Sequence, residues 1–154
     1  MDRRLLEALA AAPRSGILAL ARRARVARNT AQAHLDKLIK TGVIVGFGPE
    51  VDLRKVGYAV SAFVSLEIAQ GRGGPVDEHL RAIPEIVEAW MTTGTSDLLC
   101  RVVARDNDHL GHVINQILEV PGVTRTTTAL LLTTRILPRS LHLVIDVDKP
   151  TTLD

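Results

Sequence analysis

The chain has 154 residues, of which 46% are hydrophobic, 23% charged and 3% aromatic, with one cysteine. That composition excludes a disordered chain and a disulfide scaffold, and no run reaches the ~18 apolar residues of a membrane span or forms a signal-peptide core. The net charge of +2 hides an asymmetry: Met1–Gly42 holds nine Lys/Arg against three acids, while Val43 onward holds ten against fourteen, so a basic part that suits a polyanion is joined to a part with another task.

Taken in chain order, residues 2–11 carry Leu5, Leu6 and Leu9 on one helical stripe that Pro13 ends. Asp2 stands where an acid complements the positive end of the helix dipole. Residues 17–24 are expected to turn Leu18, Leu20 and Ala21 inward, with Arg22 and Arg23 at the end. A third helix is predicted from Arg28 to Thr41, closed by Gly42, with Ala31, Leu35 and Leu38 as its inward row. The opposite face holds Asn29, Gln32, Ala33, Asp36, Lys37 and Lys40. Three short helices of this kind make a helix-turn-helix over residues 1–44. Val43 to Gly46 reads as a short strand, and residues 45–57 form a strand and linker that separate two domains.

The next stretch, residues 58–135, repeats itself. Alternating Ala59–Ala69 predicts a strand, a Gly-rich loop at 71–75 leads to a helix ending near Pro84, and a strand follows over Ile86–Thr93. The pattern restarts with strand Leu98–Arg105, helix Asp108–Glu119 and strand Val123–Thr134. Leu110, Val113, Ile114, Ile117 and Leu118 are expected to face inward from that helix. Pro84 and Pro121, 37 residues apart, hold equivalent places. Two βαβ units in tandem predict a ferredoxin-like βαββαβ fold, so the chain is α+β. The strands are too apolar on both faces to leave one in water, which calls for a second copy of the chain packed against the sheet. Residues 136–154 are an extension in which Leu141–Val147 alternates like an extra strand, and Lys149–Asp154 is expected to fray.

The run Val26–Ile44, then Gly46-Phe47, Asp52, Gly57, Thr93–Asp97 and Leu118–Thr126, resembles the Lrp/AsnC (feast/famine) family of transcription regulators, over residues 2–135. The resemblance implies a winged helix-turn-helix that binds double-stranded DNA. It also implies an effector-binding, dimerising second domain, with dimers that assemble to tetramers or octamers and respond to small metabolites such as amino acids. No catalytic residue, cofactor, metal or membrane contact is implied, and the expected location is the cytoplasm, at the nucleoid. Two positions depart from the family pattern: Ala27 stands where Ser usually caps the recognition helix, and Arg25 where Gly is common.

On this reading Arg28, Asn29, Gln32 and Ala33 are the base-reading candidates. Arg pairs with guanine O6/N7, Asn or Gln with adenine N6/N7, and a small Ala meets a thymine methyl. Arg22, Arg23, Arg25, Lys37 and Lys40 are candidates for phosphates, which give affinity without sequence information. Asp36 either accepts from cytosine N4 or pairs with Lys40. In the second domain, the turn matches the family's Gly-x-x-Asp effector loop at Gly94 and Asp97, which makes Gly94, Thr95, Ser96 and Asp97 the effector candidates, with Asp97 placed to meet an ammonium group. Thr95, Ser96 and Leu98 replace the aromatic or acidic residues often found there.

Other features read as structural. His109 and His112 flank an apolar row and face solvent with too few further ligands for a metal, and Cys100 is a core residue. Trp90, on the same side as Ile86, is interface packing. Glu85 and Glu88 have no facing partner in the sequence, and the Gly71–Gly74 loop lacks the Lys-Ser/Thr of a P-loop. Two alternatives to a sequence-specific regulator are a nucleoid-organising protein with weak sequence preference and a small ferredoxin-like dimeric enzyme.

Overall fold

The computed structural model describes residues 2–69, 71, 73–141 and 143. The chain forms two compact units, one from the described residues of Met1–Pro49 and Ile136–Asp154, the other from Glu50–Arg135.

In the first unit, helices α1 (Asp2–Ala11), α2 (Ile17–Ala24) and α3 (Arg28–Lys40) match the three predicted segments closely. Pro13 has no N–H to continue α1, and the chain turns through Ser15 N–H to Ala12 C=O, 3.0 Å. The core is Leu5, Leu6 and Ala8 of α1, Leu20, Ala21 and Ala24 of α2, and Ala31 and Leu38 of α3. Four of these eight are alanines, so the helices approach closely and the leucines fill what remains. Leu18, expected inward, is 52% exposed, because the buried stripe of α2 follows Ile17, Leu20, Ala21 and Ala24 and leaves Leu18 a wheel step outside it.

No strand forms at Val43–Gly46. Gly42 takes a left-handed φ of 72°, and Ile44 N–H is spent on Leu38 C=O of the helix end, 3.1 Å. Val43 and Val45 stay exposed. The extra strand expected at Leu141–Val147 falls partly on residues 142 and 144–147, outside the described residues, as does Lys149–Asp154. Leu141 packs against the three-helix core, and Leu143 N–H closes a turn on Ser140 C=O.

The second unit runs β1 (Val60–Ile68), α4 (Gly73–Arg81), β2 (Ile86–Met91), β3 (Leu98–Ala104), α5 (Asn107–Leu118) and β4 (Val123–Leu130). Its strands form one antiparallel sheet in the order β2-β3-β1-β4. This is the ferredoxin-like arrangement the repeat predicts. The repeat is visible in its turns: Ile86 N–H bonds Ile83 C=O at 3.1 Å, and Val123 N–H bonds Val120 C=O at 3.0 Å. Strands β2 and β4 end earlier than expected, before residues 92–93 and 131–134.

One face of the sheet is sealed. Ala62, Val64 and Leu66 of β1 alternate inward beside Leu98, Cys100, Val102 and Ala104 of β3, under Val76 and Leu80 of α4 and Leu110, Val113 and Ile117 of α5. Of the remaining residues expected inward on α5, Ile114 is partly buried and Leu118 is 44% exposed, since the sheet meets only the narrower stripe at positions 110, 113 and 117. Asp106 caps α5, its Oδ1 accepting from His109 N–H at 2.7 Å.

The register slips between Ile86 and Glu88, so Ile86 pairs with Val102 and Glu88 with Arg101. This bulge inverts the parity of β2. Ile86 packs against the sealed core, while Trp90 pairs with Leu99 and stands on the open face beside Phe63, ring centroids 6.4 Å apart at 57°. Trp90 and Ile86 therefore lie on opposite sides of the sheet, contrary to simple alternation.

Cys100 is wholly buried, and burial, reinforced by the negative Asp77, pushes its thiol up to about 11. At pH 8 only on the order of one thiol in a thousand would be thiolate even if reagent could reach it. A thiol reagent is expected to leave the native protein essentially unlabelled and to label it stoichiometrically in guanidinium. Fast reaction without denaturant would contradict this packing.

Candidate nucleic-acid interface and effector loop

Helix α3 is the exposed reading candidate. It is anchored by two buried side chains, Ala31 and Leu38, and the face opposite them carries Asn29, Gln32, Ala33, Asp36, Lys37 and Lys40, all exposed like Arg28. Gln32 Nε2 donates to Asp36 Oδ1 at 2.8 Å, so Asp36 takes Gln32 as its partner in place of Lys40. The bond uses one of two amide hydrogens. The other hydrogen and the amide oxygen stay available, which are the two groups an adenine edge requires.

The turn into α3 carries both sequence departures. Arg25 is left-handed, φ 57° and ψ 49°, a conformation that costs a non-glycine residue about 1 kcal/mol. It is held by Arg25 N–H to Arg22 C=O at 3.2 Å and Val26 N–H to Ala21 C=O at 3.0 Å, the paired bonds of a Schellman-type helix end. Ala27 is the N-cap of α3 and makes no side-chain capping bond.

Helix α3 is tied to α1 by a contact that residue spacing does not reveal. His34 Nδ1–H donates to Asp2 Oδ1 at 2.6 Å, and Lys37 Nζ lies 3.8 Å from Asp2 Oδ2. The His34 hydrogen bond, with the Lys37 charge adding to it, holds the Asp2 carboxyl below its ordinary value. Lys37 thus has an acid beside it. Arg22, Arg23, Arg25, Arg28 and Lys40 have no ion-pair partner among the described residues.

The effector-loop candidates lie between β2 and β3. Gly94 has φ 113°, which only glycine adopts at little cost. Asp97 braces the loop on the end of β1: its N–H donates to Leu66 C=O at 2.8 Å and its Oδ2 accepts from Ile68 N–H at 2.7 Å. Thr92 closes the loop from the other side, N–H to Asp97 C=O at 2.9 Å and Oγ1 to Ser96 C=O at 2.8 Å. One oxygen of Asp97 is therefore structural and the other is open. Thr95 projects outward and is exposed.

Three further residues differ from expectation. Glu88 pairs with Arg101 at 3.1 Å across the strands, and Glu85 pairs with His109 at 3.3 Å. His109 does not face solvent: its side chain is 16% exposed, with Nδ1 accepting from Arg105 N–H at 3.2 Å. The two partners come from different elements, so helical spacing could not pair them. No group of three or more metal-ligating side chains occurs among the described residues, and no helix among them is long and apolar enough to cross a membrane.

The profile of the Lrp/AsnC ligand binding domain matches residues 61–141, and that of a winged helix-turn-helix DNA-binding domain matches residues 1–45. The regulatory protein AsnC of Escherichia coli is 30% identical over 134 residues, covering 86% of this chain and 88% of the relative. The solved structure of E. coli AsnC superposes with a TM-score of 0.83 at 28% identity, over 91% of this chain and 95% of that one. A Neisseria meningitidis transcriptional regulator solved in complex with L-Met shares the fold, with a TM-score of 0.78 at 21% identity over 92% and 94% of the two chains.

Two measurements probe this scaffold. Ala27→Ser restores a capping oxygen and is expected to stabilise the protein by about 1 kcal/mol, read as a higher denaturation midpoint; no gain would mean the α3 N-terminus is satisfied in another way. For Asp2, a depressed carboxyl contributes stability above its ordinary pKa of 3.8, and the contribution is lost as pH falls through the lower folded value. The melting temperatures of wild type and Asp2→Asn should therefore differ above pH 3.8 and converge as pH falls below it. A gap that stays open far below pH 3.8 would contradict the pairing.

Proposed function

The chain belongs to the Lrp/AsnC family of transcription regulators, and we propose that it is a sequence-specific one whose second domain senses a small metabolite. Its relatives are regulators and not enzymes, so the enzyme alternative falls. What carries the finer reading is the surface of the head. A polar helix face stands free beside five cations with no acid partner among the described residues. A solvated charged surface usually mixes both signs, whereas a phosphate-tracking surface does not.

In this reading Arg28, Asn29, Gln32 and Ala33 meet base edges in the major groove, with Asp36 orienting the Gln32 amide. Arg22, Arg23, Arg25, Lys37 and Lys40 contact phosphates. Lys37 contributes less than the others because Asp2 already offsets part of its charge. The Gly94–Asp97 loop is the effector contact: Gly94 lets the backbone approach a ligand, and the open oxygen of Asp97 suits an ammonium group. The L-Met bound to the Neisseria regulator supports an amino acid as the first ligand to test.

The open sheet face supports assembly from at least two copies. Trp90 is 44% exposed there, next to Phe63. Arg101 Nε is buried with no hydrogen-bond partner among the described residues, a donor that an acceptor from another chain would satisfy. Covering this face with a second sheet buries the aromatic pair and holds two reading heads together, so that half-sites fall about 34 Å or a multiple apart along the duplex.

Fluorescence anisotropy with operator and scrambled duplexes at two salt concentrations tests the reading. The double variant Arg28→Ala/Gln32→Ala is expected to lose discrimination by at least ~10-fold, since each bidentate base contact is worth about 1–3 kcal/mol. Its salt-dependent binding to both duplexes should survive. Equal wild-type affinity for both duplexes, steeply dependent on salt, would replace this reading with the nucleoid-organising one.

A further inference from the structure

We propose that the cleft between α1 and the C-terminal end of α2 is a phosphate site formed by Arg4, Arg23 and Arg25. The cleft has a volume of about 410 Å³ and is lined by these three arginines with Glu7, Ala8, Ala11 and Ala24. Ala8 and Ala24 are nearly inaccessible and carry one methyl each, so the cleft lies directly against the packed helices.

The cleft carries a net positive charge. Glu7 is its one acid, and Glu7 Oε1 already accepts from Arg3 Nε at 3.2 Å. Neither Arg4, Arg23 nor Arg25 has an ion-pair or hydrogen-bond partner for its side chain among the described residues. The C-terminal dipole of α2 offsets part of the charge of Arg23 and Arg25. Arg4 sits in the first turn of α1, where the dipole favours acids, so its own helix gives no reason for a cation there. Arg25 reaches the cleft from a left-handed backbone that glycine would adopt without cost. Three cationic side chains lining one cleft repel each other until an anion enters. A carboxylate has two oxygens for guanidinium forks, whereas a phosphate group offers three or four and accepts bidentate bonds from more than one Arg.

Arg23 and Arg25 are already read as phosphate contacts; Arg4 and the shared site are new. The phosphate comes either from the duplex backbone, which rests on the DNA reading above, or from a free phosphate-bearing molecule, which does not. The test uses the full chain as wild type, Arg4→Gln, Arg4→Lys and, as a control exposed elsewhere on the same unit, Arg14→Gln, each checked for an unchanged circular dichroism spectrum. One arm titrates operator and scrambled duplexes across salt, and the other follows the melting temperature with inorganic pyrophosphate in low salt.

If the duplex fills the cleft, Arg4→Gln weakens both duplexes by the same ~3- to 10-fold and lowers the log–log salt slope by about 1, while Arg14→Gln keeps the wild-type slope. If a free phosphate fills it, Arg4→Gln keeps the slope but loses the pyrophosphate-induced rise in melting temperature that wild type and Arg14→Gln show. Arg4→Lys, with the charge and without the fork, falls between wild type and Arg4→Gln in whichever arm responds. The proposal is overturned if Arg4→Gln matches wild type in both arms, or if Arg14→Gln loses as much as Arg4→Gln does. Failure of wild type to bind any duplex would sink the DNA reading alone and leave the pyrophosphate arm to judge the cleft.

Discussion

Strand β1 is hydrogen-bonded along both edges, to β3 on one side and β4 on the other, and this double pairing constrains everything in the second unit. A strand paired on both edges cannot slip without turning its whole side-chain row over. With Ala62, Val64 and Leu66 completely sealed under the helices, the opposite row of Ser61, Phe63, Ser65 and Glu67 must face outward. The same strand end supplies Leu66 C=O and Ile68 N–H, the two backbone groups that hold Asp97. The candidate effector loop, between β2 and β3, is thus hydrogen-bonded to the end of a strand that is itself paired on both edges, which gives it a defined geometry without secondary structure of its own.

The bulge in β2 adds a second consequence. Without it Trp90 would share a side with Ile86; with it Trp90 joins Phe63, Leu99 and Arg101 on the open face. One inserted residue therefore decides whether the single tryptophan belongs to the interior or to a surface. The result is a face with an aromatic pair between edge strand β2 and strand β1, the Glu88–Arg101 pair, and a buried guanidinium nitrogen that nothing in the described chain satisfies. Exposed aromatic and aliphatic side chains with a charged pair beside them suit the proposed assembly from more than one copy.

How much of this could be read in the sequence follows from the range of each interaction. Helix periodicity is local, so the three N-terminal helices were legible almost to the residue. So was the tandem βαβ repeat, because Pro84 and Pro121 mark equivalent turns. Interactions between distant elements were not. The Asp2–His34 contact spans 32 residues, and Asp97 reaches Ile68 across 29, with no periodic signal to connect them. Alternation alone misplaced Trp90, since it assumes an unbroken register. Val43–Val45 looked like a strand by composition, but β-branched residues form one only where a neighbour offers hydrogen bonds, and here the helix end claims Ile44 N–H first. Leu18 failed for a related reason: a leucine in a short helix is buried only if another element covers its side.

The head shows how stability and charge compete in a small domain. Its core is eight buried residues, half of them alanine, so it has little hydrophobic stabilisation to spare; each fully buried leucine contributes about 1.5–3 kcal/mol and an alanine far less. Against that background the turn before α3 holds a left-handed arginine and an N-cap with no capping group, each costing about 1 kcal/mol relative to glycine or serine. The Asp2–His34 bond acts in the opposite direction, fastening α3 to α1 from the middle of the helix, where the weak N-terminus cannot. Helix α3 is thereby held at its centre and eased at its N-terminal end, beside Arg28 and Asn29. That distribution suits an element whose leading residues must adjust to a partner while its body keeps its orientation, because local stability limits how far a segment can move without unfolding the rest.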